Sequence, residues 1–149
     1  MGAIHAELAK AEGAAEVMIV ELAETRLALL RRLRNVLVID GARQDVAAVV
    51  NERTNGLGAD IVIVCAPARQ AMEQAIQYAR KGGTVSLFAS LPKGAAEITF
   101  DSRTIHYGEL RIVGSSDSRP EHVEAVIRLM AEGRIDTRNI VTHRINQYC

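Results

Sequence analysis

The 149-residue sequence predicts an α/β fold, a doubly wound parallel sheet that lacks its first strand. Three observations carry this. Short apolar runs alternate with stretches of helical periodicity along the whole chain. Apolar residues make up 48% of the sequence and aromatics only 3%, so Ala, Val, Ile and Leu must build the core, as suits a sheet with helices on both faces. The chain also opens with a helical pattern, where such folds open with a strand.

In order, residues 3–13 have helical spacing and stop at Gly13. Residues 16–21 (EVMIVE) form an apolar run closed by an acid, and residues 23–34 return to helical periodicity with Leu27, Leu30 and Leu33 on one face. Residues 35–40 predict a second strand. Residues 45–56 predict a helix capped by Asp45 and stopped near Gly56. The second half repeats the grammar, with a strand over 59–67, an amphipathic helix over 68–83 and a strand over 84–90. A short alternating strand follows over 96–101, then a helical turn over 102–108, a strand over 109–116 and a helix over 119–133 with Pro120 in its first turn. Residues 140–145 predict a last extended piece. One partial domain over residues 1–149 accounts for this pattern, with no linker or repeat.

In the strand order 3-2-1-4-5-6 the first strand is central, and its loss leaves a gap of about 10 Å between its former neighbours. Either the sheet closes, another chain fills the space, or the sequence is a piece of a longer protein. The exposed edges of 16–21 and 59–66 are apolar and point to a homo-oligomer.

Lys plus Arg and Asp plus Glu number 18 each, so no overall field favours nucleic acid or an anionic membrane. Arg31, Arg32 and Arg34 read as a solvated helix face. No apolar run approaches the roughly 18 residues of a membrane span. The two cysteines, Cys65 and Cys149, make no disulfide framework, and with no signal-peptide pattern a reduced, cytoplasmic protein is the simplest expectation.

Glu21 is the sharpest functional candidate. An acid at the end of a strand, about twenty residues after a glycine, is the spacing that joins a phosphate-binding turn to a ribose-binding carboxylate. Gly2 occupies the glycine position. Such a carboxylate accepts from ribose hydroxyls and repels a 2′-phosphate, which favours NAD over NADP; the alternative is a solvated loop acid. Gly2 would let a helix N-terminus approach the pyrophosphate, or it is simply the second residue.

The words HAELAKAEGAAEVMIVELAETRLAL, NGLGADIVIVCAP, ARKGGTVSLFASLPKG, ITFDSRTIHYGELRIVGSS and RIDTRNIVTHRI, in this order and spacing, resemble the cofactor-binding half of the zinc-type medium-chain alcohol and polyol dehydrogenases, in particular sorbitol and threonine dehydrogenase-like members. The resemblance covers almost the whole chain but is truncated at both ends. Gly2 matches only the last glycine of the family's G-x-G-P-x-G turn. Arg26 resembles the arginine that lies along the adenine, or it is a surface charge. Cys65 and Ala66 leave a strand at the cleft where such sheets bind ligands, and no basic partner adjoins Cys65 to make it a reactive thiol. By resemblance Phe88, Ala89, Ser90, Ser115 and Ser116 approach the nicotinamide; their small sizes have an equally good packing explanation.

The resemblance places the family's zinc ligands in a domain this sequence lacks. The histidines at 5, 106, 122 and 143 have no ligand spacing, and no catalytic or metal-binding residue is assigned. The expectation is therefore a cofactor-binding fragment of an NAD-dependent alcohol or polyol dehydrogenase, with weak or lost NAD binding and no catalysis on its own. The alternative is a stand-alone truncated dinucleotide-fold module acting in binding or assembly.

Overall fold

A computed structural model of the chain describes residues 1–136 and 140–141. It contains α1 (Gly2–Ala11), β1 (Met18–Glu21), α2 (Glu24–Leu30), β2 (Leu37–Asp40), α3 (Val46–Arg53), β3 (Ala59–Val64), α4 (Arg69–Gln74), β4 (Ala79–Leu87), α5 (Ser102–Gly108), β5 (Arg111–Gly114) and α6 (Pro120–Ala131). All strand pairs are parallel, as the alternating pattern predicts. The strands form two sheets, β1-β2 and β3-β4-β5. The chain divides into two compact units, Met1–Gln44 with Ser118–Cys149, and Asp45–Asp117.

In the first unit β1 pairs with β2 from Met18↔Leu37 to Glu21↔Asp40. Helix α1 ends as expected, with Gly13 at φ +90° and its N–H on the Lys10 carbonyl at 3.0 Å. Leu27 and Ile39 are each only 1% exposed. Ala11, Leu129 and Ile135 form a second apolar cluster that joins α1 to the end of α6. Glu7 on α1 is buried, and Lys10 neutralises it at 2.7 Å while donating to the Arg34 carbonyl at 2.8 Å. That lysine ties α1 to the turn after α2. Helix α2 stops at Leu30, so Arg31, Arg32 and Arg34 sit in this turn rather than on a helix face, although all three are exposed as expected.

The second unit is built on β3, β4 and β5, with Val64, Met72, Ala75, Ile76 and Val85 as its core. Asp45 caps α3 by accepting from the Ala48 N–H at 3.1 Å, as its position predicts. Val62 and Val64 face the core, whereas Ile61 and Ile63, on the opposite face of β3, are 64% and 39% exposed. The near-continuous apolar run thus has a buried and an exposed face.

Two expectations need correction. The helix expected over 68–83 ends at Gln74 with a tight turn over Ala75–Gln77, and β4 already begins at Ala79. The reason is a register shift opposite Ala59–Ile61: Gly82 takes φ +72°, and a Cβ on Gly83 would meet the Arg80 carbonyl oxygen at 2.7 Å. The RKGG segment is therefore a bulge that only glycines accommodate, and Arg80 lies on a strand, bound to Asp60 at 2.5 Å. The strand expected over 96–101 is also absent. Ile98 and Phe100 pack on the core, the Thr99 N–H donates to Glu73 at 2.9 Å, and Asp101 caps α5 through the Arg103 N–H at 2.9 Å. Apolar alternation there reflects docking of an irregular segment, not strand pairing. Of the extended piece expected over 140–145, residues 142–145 lie outside the described residues.

Gly58 tests the tight junction between β3 and the start of β4. It sits at φ +87°, and an added Cβ would meet the Arg80 nitrogen at 2.8 Å. Gly58→Ala is expected to destabilise by about 2–4 kcal/mol, combining left-handed strain with backbone overlap. Gly94→Ala, at φ +85° with nothing within 4 Å, carries only the left-handed cost of about 1–2 kcal/mol. Urea unfolding of both variants checks the difference.

Candidate functional site

Glu21 ends β1 just before α2, where the first helical amides have no partners within the helix. Its Oε1 accepts the Leu22 N–H at 2.7 Å and the Ala23 N–H at 2.9 Å. Arg26, in the first turn of α2, donates Nε to Oε2 at 2.6 Å and Nη2 to Oε1 at 2.9 Å. The side chain of Glu21 is 16% exposed and that of Arg26 65%. The Arg26 hydrogen bond, reinforced by the two backbone amides against the opposing effect of burial, lowers the Glu21 carboxyl pKa to about 2. This is a permanently ionised, oriented acceptor at the carboxyl end of a parallel strand. Among the described residues both side-chain hydrogen bonds of Arg26 are with Glu21, so its guanidinium is fixed at the same strand end.

Asp40, the in-register neighbour of Glu21 on β2, escaped the sequence reading. It is buried, accepts the Ala42 N–H at 3.0 Å and lies 3.6 Å from Arg43, which also stands 3.8 Å from Glu24. The signal was available, because Asp40 closes its strand just as Glu21 does. Gly2 begins α1, and a Cβ there would find only Ile19 Cγ2 at 4.0 Å. Its own packing therefore gives no reason for a glycine.

In the second unit a cavity of about 670 Å³ opens at the carboxyl ends of β4 and β5. Phe88, Ala89 and Ser90 line it from one strand end, and Ser115 and Ser116 from the other, so the structure brings these five residues together. The Ala89 N–H is spent on the Val64 carbonyl at 2.9 Å, which fixes the turn out of β4. Gly114 and Asp117 also line the cavity and were missed. Asp117 takes φ +60° and accepts from the Ser116 hydroxyl at 3.4 Å. The polar run GSSDS after an apolar strand could have flagged it. Cys65 and Ala66 follow β3 and are not among the residues lining this cavity. Burial pushes the Cys65 thiol pKa up, which opposes thiolate chemistry.

Among the described residues no three His, Cys, Asp or Glu side chains converge to hold a metal ion. His122 accepts the Arg119 N–H at 3.3 Å at the start of α6, and His106 stacks edge-on against Tyr107 at 4.9 Å. His143 and Cys149 lie outside the described residues.

The depressed Glu21 pKa fixes the sign of a pH effect. The unfolded carboxyl titrates near its ordinary value of 4.5 and the folded one near 2, so the stabilisation is complete above 4.5 and is lost as pH falls through about 2. Carbon-detected NMR of the Glu21 carboxyl is expected to show a midpoint near 2, which Arg26→Gln raises toward 4.5. An unchanged midpoint in the variant would contradict the assigned cause.

Residues 1–132 match the family model described as zinc-binding dehydrogenase. The sorbitol dehydrogenase of Halalkalibacterium halodurans is 32% identical over 96% of this chain and 41% of its own length. The crystal structure of 2R,3R-butanediol dehydrogenase from Bacillus subtilis superposes with a TM-score of 0.79 at 31% identity, over 91% of this chain and 38% of that one. A structure from Sinorhizobium meliloti 1021 with NADP bound gives 0.80 at 27% identity, over 92% and 40%. The chain thus spans about two-fifths of the length of such relatives. With the parallel strands, the strand-end acid and the matched residues taken together, the chain belongs to the zinc-binding dehydrogenase family.

Proposed function

We propose that this chain is the dinucleotide-binding part of an NAD-dependent alcohol or polyol dehydrogenase and does not catalyse turnover on its own. The observation that carries the reading is the Glu21 carboxylate, ionised and oriented at the carboxyl end of β1. A fixed anionic acceptor suits the neutral 2′-hydroxyl of NAD and opposes the 2′-phosphate of NADP. The cavity at the ends of β4 and β5 has an apolar wall, with Met72, Leu91, Ile98 and Phe88 among its residues, and small residues at the strand ends, and suits a flat ring such as nicotinamide. When bound, the nicotinamide accepts or donates the hydride. Glu21 positions the adenosine ribose, and Phe88, Ala89, Ser90, Ser115 and Ser116 shape the space around the ring and limit water. The described residues do not fit a zinc site, so the Lewis-acid function belongs to residues beyond them. Titration with NAD is expected to give a dissociation constant no tighter than about millimolar, or about 4 kcal/mol, with binding lost in Glu21→Ala. Zinc-dependent NADH production from polyols at enzyme-like rates would overturn the non-catalytic part of the reading.

A second reading, a stand-alone binding or assembly module, is favoured by one observation. Among the described residues β1 and β3 each pair on one side only, and Val20, Ile61 and Ile63 are exposed. Such edges recruit further strands, so we expect a homodimer or larger assembly under either reading. Light scattering checks this, and a stable monomer at micromolar concentration would refute it.

A further inference from the structure

The geometry points to Asp117 as the residue that sets the charge preference of the cavity at the ends of β4 and β5, favouring a ring in its cationic form over the same ring when neutral. The inference rests on the nicotinamide reading of that cavity and goes beyond it, because that reading gives the wall a shape and no charge.

Asp117 lines the cavity from the turn out of β5, and among the described residues that line it no other side chain carries a formal charge. Met72, Leu91, Ile98 and Phe88 make much of the wall apolar. An apolar wall screens a charge poorly, so a cleft lined by one sign of charge concentrates its field inside. The Ser116 hydroxyl donates to Asp117 Oδ2 at 3.4 Å, a neutral contact that leaves the charge uncompensated. Arg69 is engaged beside this wall, donating to the Ala95 carbonyl at 3.3 Å, and does not line the cavity. Asp117 also takes φ +60°, a left-handed conformation that Asp and Asn adopt more readily than most residues. The turn therefore accounts for a short polar side chain at this position, but not for a charged one, since Asn would serve it equally.

Nicotinamide is a ring whose charge changes in the reaction proposed above. Oxidised, its alkylated ring nitrogen carries one positive charge. Addition of a hydride, one proton with two electrons, leaves the ring neutral. A carboxylate beside it attracts the first form and is indifferent to the second. The effect is modest, because Asp117 is exposed and water and salt screen its field. It nevertheless has a direction. Asp117 favours the bound ring in the form that accepts a hydride, which is the form an alcohol oxidation starts from.

Oxidised and reduced nicotinamide mononucleotide differ at the ring alone and test this on the full chain. Each is titrated separately, with the Ser90 and Ser115 amide resonances as reporters. Asp117→Asn keeps a residue suited to the left-handed turn and an oxygen for the Ser116 hydroxyl while removing the charge. The affinity for the oxidised form relative to the reduced one is expected to fall about threefold in the variant, the size of an exposed ion pair, with the oxidised form weakened and the reduced form unchanged. Raising the salt from about 20 mM to about 500 mM is expected to remove most of the difference between the unmodified chain and the variant. An unchanged ratio in Asp117→Asn would overturn the inference, as would equal weakening of both forms, the result of a purely structural role in the turn. In either case binding at the reporters would leave the nicotinamide reading standing. Failure of both forms to move the Ser90 and Ser115 resonances in the unmodified chain would overturn the reading and the inference together.

Discussion

Every strand of a parallel sheet carries hydrogen-bonding groups along two edges, and among the described residues β1 and β3 each have a strand partner along only one. Much of the structure follows from that constraint. Each unit has a small core: Leu27 and Ile39 in one, and the cluster around Val85 in the other. Neither core is large, and Val20, Ile61 and Ile63 remain in solvent. An exposed apolar face on a parallel sheet is unusual, because such sheets are ordinarily covered on both faces.

Charge pairing follows one pattern in the first unit, with different consequences. Glu7 is buried with Lys10, Asp40 is buried near Arg43, and Glu21 is half-buried with Arg26. In α1 the pair also reaches the Arg34 carbonyl, and its role is to hold helix and turn together. At Glu21 the partners include the backbone amides of Leu22 and Ala23, just ahead of α2, which orient the carboxylate that Arg26 neutralises. An oriented anion at a strand end can act on a ligand, whereas a buried pair between α1 and a turn serves structure. Local geometry, not residue type, separates the two.

The strand–helix order was legible because apolar runs and helical periods are local patterns. The ends of α1 and α3 were legible because Gly13 and Asp45 act through their immediate neighbours. The start of β4 was not. The apolar spacing continues through Tyr78, and only the backbone approach between Gly83 and Ala59 reveals that RKGG is a bulge. Ile98 and Phe100 alternate as a strand would, but they have a core to pack on and no strand to pair with. Of the candidate site, Glu21 could be found because strand-end acids have a distinctive position in the chain. The grip of Arg26 on both its oxygens could not, because it depends on side-chain direction, which a local sequence pattern does not carry. Asp117 left a signal in the polar run GSSDS, but its left-handed backbone, set by the turn out of β5, did not.

The candidate residues share one structural cause. Glu21 in the first unit, and the Phe88–Ser90 and Ser115–Ser116 turns in the second, each lie where parallel strands of their own sheet end. At those ends the backbone leaves the ladder, so side chains and amides become available to a ligand. What these groups can do is limited to binding and orienting. Glu21 is too acidic to serve as a base near neutral pH, and burial keeps the Cys65 thiol protonated. The polar groups of the cavity wall are hydroxyls and one carboxylate already engaged by Ser116. A hydride transfer also requires something to stabilise the developing alkoxide and to move its proton. Among the described residues, Glu21 and the cavity wall offer oriented acceptors and hydroxyls, and neither of those two requirements is met by them.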